Sequence, residues 1–134
     1  TPIILAPMSG VTDLPYRNIV AGYGAGLVVS EMIASRAMII ETRQSMQKCQ
    51  ITGQGLTSVQ LAGCDPEIMG EAAKLNEERG AKIIDINFGC PAKQVTGGDA
   101  GSALMKDLEK AKKDLGVAED EFVAPRNGQT FKFD

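Results

Sequence analysis

The sequence predicts an α/β protein with a parallel sheet, built as part of a (βα)8 barrel. Two observations predict this fold. Short apolar runs alternate with amphipathic stretches along the chain, and two of the apolar runs carry polar side chains on one face. Regular alternation of strands and helices gives consecutive βα units and a parallel sheet. A polar strand face belongs to a barrel interior, because the sheet of an open doubly wound fold is apolar on both faces.

Four βα units account for most of the chain, in order. The predicted strands cover residues 3–6, 27–30, 57–62 and 83–88, and the predicted helices cover residues 14–21, 35–48, 66–79 and 102–115. The third helix has the clearest ends, since Asp65 is a good N-cap, Pro66 fits the first turn and Gly80 follows the last turn. A complete barrel needs ~250 residues. A chain of 134 residues is therefore expected to hold about the first four units.

The chain changes character after the fourth unit. We place a boundary at residue 107, so that residues 1–107 form the half-barrel and residues 108–134 form an atypical tail. After an amphipathic helix, Asn127-Gly128 predicts a turn and residues 130–133 predict a strand, with no fifth parallel unit. Thr1, in place of an initiator Met, indicates that the chain is processed or cut at a domain edge.

The composition argues against several classes of function. Histidine is absent, which disfavours Ser-His-Asp and Cys-His catalysis and the usual zinc sites, so no metal site is predicted. A net charge of −3 is unfavourable for holding nucleic acid through the bulk charge of the chain. Three cysteines and the lack of a membrane-spanning apolar run indicate a cytoplasmic protein with reduced thiols.

Cys90, in the loop after the fourth strand, is the strongest candidate for chemistry. Gln60 and Asn87 lie on polar faces near the carboxyl ends of the third and fourth strands, where a barrel places its catalytic groups. No histidine is available to activate Cys90 as a nucleophile. A thiol with the ordinary pKa of ~8.5 is mostly protonated at neutral pH, which fits a general acid. The alternative is a small buried thiol that fills space beside a turn.

Other residues are weaker candidates. Cys64 also follows a strand, but a small residue is enough for the turn before the third helix, and Cys49 lies at a helix end. The loop of residues 97–102 offers backbone N–H groups to an anion, although a flexible loop before a helix explains it more simply. Lys93 is placed to meet a phosphate or carbonyl of a substrate, with a solvated lysine as the equal alternative, and Arg36 is a similar solitary base.

Five motifs follow one another between residues 3 and 107. They are ILAPMSGVTDLPYR at residues 4–17, SEM at 30–32, SVQLAG at 58–63, DINFGCP at 85–91 and GGDAGSAL at 97–104. In this order they resemble the signatures of bacterial tRNA-dihydrouridine synthases, with most similarity to the B-type branch, also described as nitrogen-regulation-like proteins. The resemblance covers the N-terminal half of the barrel only.

This resemblance implies a TIM barrel with FMN, which is reduced by NADPH and then reduces uridine in tRNA to 5,6-dihydrouridine. In the family's mechanism, reduced FMN gives a hydride to C6 of the uracil, and the cysteine that corresponds to Cys90 gives a proton to C5. By the same resemblance Pro7 and Met8 contact the flavin ring, Gln60 hydrogen-bonds its polar edge, and Asn87 holds the flavin or the target base.

The departures from the family are also informative. Its later strands bring a Lys, a His and Gly-rich loops to the flavin, and a helical domain binds tRNA; none of these is recognisable here, and the tail after residue 107 does not follow the family's pattern. We therefore expect tRNA to bind through a full-length protein and the open half-barrel to favour homo-oligomers. Two alternatives stay open. One is another FMN barrel such as dihydroorotate dehydrogenase, in which Asn is expected in place of Ala92, and the other is a catalytically silent half-barrel that only folds or self-associates.

Overall fold

The computed structural model describes residues 3–106, and these contain a five-stranded parallel sheet with helices between the strands. The strands are β1 (Ile4–Leu5), β2 (Leu27–Val29), β3 (Ile33–Ala34), β4 (Leu56–Ala62) and β5 (Ile83–Ile86). The helices are α1 (Leu14–Gly22), α2 (Ser35–Ile39), α3 (Arg43–Lys48), α4 (Pro66–Glu78) and α5 (Lys93–Thr96), followed by a 3-10 helix, Gly101–Lys106. The predicted α/β class with a parallel sheet is confirmed. Within residues 3–106, no helix is both long and apolar enough to cross a membrane.

Strand β4 lies at the centre of the sheet. Strand β5 pairs with it on one side, while β2 pairs with its first half and β3 with its second half on the other. Because β2 and β3 act as one interrupted strand and β1 pairs with β2, the strands lie side by side in chain order. That order is consistent with a barrel-like domain, since a doubly wound sheet reverses its strand order at a switch point. The extent of four barrel units stays a prediction, and so does self-association.

Helix α4 forms where the sequence predicts it. The Asp65 side chain accepts a hydrogen bond from the Ile68 N–H at 3.2 Å, which satisfies one of the unpaired donors of the first turn. Gly80 follows the helix with a φ of 98°, a left-handed conformation that glycine adopts without strain. Helix α1 is also confirmed.

The predicted helix over residues 35–48 is wrong in one respect, because it is divided into α2 and α3. Glu41 lies between them with a φ of 51°. The Thr42 side chain then accepts a hydrogen bond from the Ser45 N–H at 3.1 Å and caps α3. A threonine side chain that accepts from a backbone N–H stabilises the first turn of a helix, whereas in a helix interior it competes with the helical hydrogen bonds. The short elements β3 and α5 were not predicted either.

The predicted fourth helix, residues 102–115, lies only partly within the described residues. Its described part belongs to the 3-10 helix and begins one residue earlier, at Gly101. The rest of that helix, the turn at Asn127-Gly128 and the strand at residues 130–133 lie outside the described residues.

The apolar core lies between the sheet and the helices. Val59 and Leu61, on one face of β4, are fully buried and pack with Met69 and Ala72 of α4. Met38 of α2, Cys49 and Ile33 complete this side of the core. The other face of β4 carries Ser58 and Gln60, as the alternation of side chains predicts, and this face leads to the candidate site.

Candidate active site at the carboxyl ends of the strands

A hydrogen-bonded row of polar side chains crosses from β4 to the end of β5. The Gln60 Nε2 donates to Asp85 Oδ2 at 2.6 Å, and the Asn87 Nδ2 donates to Gln60 Oε1 at 3.0 Å. Asn87 comes one residue after β5, but its backbone N–H still donates to the Leu61 carbonyl at 2.9 Å. Gln60 and Asn87, both predicted on polar strand faces, therefore lie side by side, and Asp85 belongs to the same row.

Asn87 also fixes the loop that carries Cys90. Its Oδ1 accepts hydrogen bonds from the Cys90 N–H at 2.9 Å and from the Gly89 N–H at 3.3 Å. An asparagine that bonds to the backbone two or three residues ahead forms a compact turn. One amide side chain thus connects Gln60 on β4 with the half-buried Cys90.

The loop of residues 97–102 supports Cys90 from the other side. The Ser102 N–H donates to the Cys90 carbonyl at 3.0 Å. Gly101 is buried with a φ of 61°, and a Cβ there would lie 2.6 Å from the Cys90 carbonyl oxygen. The N–H groups of Gly97, Gly98, Asp99 and Ala100 likewise donate to protein carbonyls. This use of the N–H groups disfavours the anion-binding interpretation, and the loop instead holds Cys90 in place.

These elements line a cavity of about 230 Å³. Its lining residues come from the loop after β1, the segment between β2 and β3, the end of β4 and the loop after β5: Pro7, Ser9, Met32, Gln60, Asn87 and Cys90. The structure thus brings together four of the six predicted site residues.

Met8 and Lys93 do not line this cavity. Met8 is 40% exposed, and its backbone is bonded to Thr12, whose hydroxyl accepts from the Met8 N–H at 3.0 Å. Lys93 is exposed at the start of α5. Their assignments as cofactor and substrate contacts stay predictions.

The other two cysteines occupy different surroundings. Cys64 is exposed, and its thiol donates to the Gly98 carbonyl at 3.1 Å. It lines a separate groove of about 310 Å³. Cys49 is buried in the helix-facing core, and burial raises the pKa of its thiol. Among the three cysteines, only Cys90 lines the cavity with Gln60 and Asn87.

Residues 30–32 form one of the five motifs, but no role in the site was predicted for them. Met32 lines the cavity, and the carboxylate of Glu31, only 8% exposed as a residue, accepts a hydrogen bond from the Gly10 N–H at 2.8 Å. The available signal was an acidic residue directly after an apolar strand. Its partner, Gly10, lies 21 positions away in the chain, so the pattern of neighbouring residues does not predict the contact.

The sequence also gave no sign of the position of Arg17, which is fully buried. Its guanidinium donates to the carbonyls of Thr12, Gln50 and Lys48 at 3.1, 2.7 and 3.1 Å. Burial lowers the pKa of this side chain, partly offset by the nearby carboxylates of Asp13 and Glu31. Arg17 thereby joins the loop after β1 to the end of α3.

The fold and the site define a class of protein: a parallel βα domain whose polar side chains and one thiol meet at the carboxyl ends of its strands. Comparison of the sequence with known families identifies the class more closely. Residues 4–122 match the dihydrouridine synthase family, and the chain belongs to that family. The match extends beyond residue 107 to residue 122, and the domain boundary at residue 107 stays a prediction.

Curated relatives agree with this assignment. The chain is 69% identical over 107 residues to the probable tRNA-dihydrouridine synthase of Rickettsia bellii, covering 78% of this chain and 33% of the relative. It is 67% identical over 113 residues to the probable enzyme of Rickettsia prowazekii, covering 83% and 35%. The tRNA-dihydrouridine synthase B of Shewanella oneidensis is 53% identical over 106 residues, covering 78% and 33%. The chain thus spans about a third of the length of these relatives.

Proposed function

We propose that this chain is the N-terminal portion of the barrel of a tRNA-dihydrouridine synthase, with Cys90 as the proton donor in the reduction of uridine to 5,6-dihydrouridine. One observation carries the proposal: Cys90 lines the same cavity as Gln60 and Asn87. The family assignment adds a substrate to that geometry, since the relatives are named for a reaction on tRNA.

The residues of the cavity fit part of a flavin. A primary amide has two N–H donors and an acceptor oxygen. Among residues 3–106, the hydrogen bonds of Gln60 use one Nε2 hydrogen, for Asp85, and one position at Oε1, for Asn87. A second donor and a second acceptor position therefore remain for the imide edge of the ring. Pro7 offers an apolar surface beside it, and Met8 is assigned to the same ring by the resemblance.

When bound, FMN would supply the hydride to C6 of the uracil, and we infer NADPH as its reductant. The chain's own groups then have distinct tasks. Asn87 bonds to the Cys90 N–H and to the Gln60 side chain. These two hydrogen bonds keep the Cys90 loop in one conformation when a base enters. Cys90 donates its thiol proton to C5 of the uracil, which completes the reduction of the C5–C6 double bond. Asn87 and the exposed Lys93 are the proposed contacts to the substrate.

The uridine must leave its stack to reach this site, at a cost of a few kcal/mol that is smaller in a loop of folded RNA. With a net charge of −3, the chain is unsuited to holding tRNA by itself, and we assign that task to the remainder of a full-length protein. We also propose a cytoplasmic location, because the relatives are named for a reaction on tRNA.

The test uses a hybrid enzyme, in which residues 1–106 of this chain precede the remaining part of the Rickettsia bellii relative. Cys90→Ala and Cys64→Ala are made in this hybrid, because both thiols follow strand ends but only Cys90 lines the cavity. Dihydrouridine in tRNA is measured by mass spectrometry, and bound flavin is measured by its absorbance.

Loss of a general acid lowers a rate by about 10²–10⁴-fold. We expect Cys90→Ala to lose dihydrouridine formation by that factor while it keeps its flavin, and Cys64→Ala to retain both. A Cys90→Ala hybrid that modified tRNA at the rate of the unmodified hybrid would overturn the proton-donor assignment. A hybrid that bound no FMN would contradict the cofactor assignment.

A further inference from the structure

The segment between β2 and β3 is a β-bulge against the central strand. Val29 pairs with Ser58 and Ile33 pairs with Leu61. Ser30, Glu31 and Met32 therefore lie opposite only Val59 and Gln60, so this strand contains one extra residue. Bulges of this kind bend a strand and redirect a side chain, and they are frequent beside active sites.

Ser30 supplies hydrogen bonds in place of those that the bulge interrupts. Its N–H donates to the Ser58 carbonyl at 2.9 Å, and its hydroxyl accepts from the Gln60 N–H at 3.0 Å. The same hydroxyl donates to the Glu31 carbonyl at 2.9 Å. Since Ser30 is fully buried, this arrangement fixes the backbone of Glu31 relative to β4.

The Glu31 carboxylate then reaches across to the loop after β1. It accepts a hydrogen bond from the Gly10 N–H at 2.8 Å. The Lys48 Nζ lies 3.5 Å from the same carboxylate oxygen and 3.5 Å from the Met32 carbonyl. Both charged side chains are largely buried, with 11% of the Glu31 side chain and 22% of the Lys48 side chain exposed. Charge-assisted bonds to a backbone N–H are stronger than neutral ones.

The loop after β1, residues 6–12, is consequently held at two points. Thr12 bonds to both the N–H and the carbonyl of Met8, and Glu31 holds Gly10, which has a φ of 76°. Pro7 and Ser9, which line the cavity, lie within this loop, and Met32, on the other side of Glu31, lines it too. The Glu31 carboxylate thus connects the two segments that carry these lining residues.

We propose that Glu31 is a positioning residue that holds the loop of residues 6–12 in the conformation that receives the flavin ring. The inference rests on the proposed function for the identity of the cofactor. Glu31 does not line the cavity, and it acts through the Gly10 N–H and the backbone of Met32.

The experiment compares three variants of the hybrid enzyme. Glu31→Ala removes the acceptor, Glu31→Gln keeps an acceptor oxygen for Gly10, and Glu71→Ala changes an exposed glutamate on α4 as the control. The FMN dissociation constant is measured by flavin fluorescence, and the thermal melting of the FMN-free protein is recorded beside it. In parallel, hydrogen exchange of the Gly10 amide is followed by NMR in the 134-residue chain.

Glu31→Ala is expected to weaken FMN binding by about tenfold, the scale of one hydrogen bond to a charged group. Glu31→Gln is expected to restore most of the affinity, and Glu71→Ala to match the unmodified hybrid. The Gly10 amide should lose protection in Glu31→Ala and keep it in Glu31→Gln. Unchanged FMN affinity and unchanged Gly10 protection in Glu31→Ala would overturn the proposal. A loss of FMN affinity that is fully explained by a lower melting temperature of the FMN-free protein would also overturn it.

The two proposals fail separately. If the unmodified hybrid bound no FMN, the proposed function would fail, while the Gly10 amide would still decide whether Glu31 holds the loop. If the hybrid bound FMN and modified tRNA but Glu31→Ala bound FMN equally well, only the positioning role would be wrong.

Discussion

The two faces of strand β4 are stabilised by different interactions, although their residues alternate within one short segment. Val59 and Leu61 face the helices and are fully buried in an apolar core. Ser58 and Gln60 face the opposite way and are also buried, at 1% and 6% exposure. All four residues are therefore buried, and the two faces differ in the chemistry of their partners.

The difference shows how one strand serves stability and function together. On the helix-facing side the gain comes from removing apolar surface from water, which is ~25 cal/mol per Å². On the other side the Gln60 amide must be paired, since a buried polar group without a partner costs ~1–3 kcal/mol. In our proposal, a bound ligand pairs with the remaining donor and acceptor positions of the Gln60 amide. We expect changes on the first face to alter folding and changes on the second to alter binding and chemistry.

The largest expected change in stability comes from the helix-facing side. Leu61→Ala removes a fully buried side chain, and truncations of this kind cost ~2–5 kcal/mol. Ser58→Ala is the matched control on the other face, because within residues 3–106 the Ser58 hydroxyl has no hydrogen-bond partner. We expect it to be neutral or slightly stabilising. Urea unfolding of the 134-residue chain measures both, and equal losses in the two variants would refute the distinction between the faces.

A smaller effect is expected at the support of the Cys90 loop. Gly101→Ala places a Cβ 2.6 Å from the Cys90 carbonyl at a φ of 61°, and such a conformation costs a non-glycine residue ~1–3 kcal/mol. The loop must shift, so we also expect slower dihydrouridine formation in the hybrid enzyme.

Gly70→Ala is the control for this variant. Gly70 lies in α4 with open space around its Cβ position, and alanine there should stabilise the helix by ~0.5–1 kcal/mol. Activity that was unchanged in Gly101→Ala would show that the loop does not need this support.

The smallest effect is a dependence of stability on pH that originates in the core. Burial raises the pKa of Cys49, so between the ordinary value of ~8.5 and the raised value the folded chain binds more protons than the unfolded chain. Its contribution to stability is complete below the ordinary pKa and is lost as the pH rises through the raised pKa. Cys49→Ala should therefore reduce the fall of stability with rising pH between the ordinary and the raised pKa. A slope that did not change would assign the dependence to other groups.

The elements were predictable where local chemistry decides them. Asp65, Pro66 and Gly80 set the ends of α4 because capping is a matter of neighbouring residues. The break at Glu41 and the 3-10 geometry of Gly101–Lys106 were not predicted, since helical periodicity alone does not reveal where a side chain takes over a backbone hydrogen bond. The site was likewise predictable in part. Strand alternation and position correctly placed Gln60, Asn87 and Cys90 at the cavity, whereas Met8 and Lys93 lie outside it.

The sequence by itself determined the α/β class, the polar face of β4 and β5, and Cys90 beyond the end of that face, because alternation along a strand is a local property. Only the tertiary structure decided that Glu31 holds Gly10, that Arg17 is buried among three carbonyls, and that the loop of residues 97–102 supports Cys90 instead of offering its N–H groups to an anion. The first two depend on segments distant in the chain, which meet only when the sheet aligns the ends of its strands. The third depends on the turn that follows Cys90, in which the N–H groups of the loop bond to nearby carbonyls.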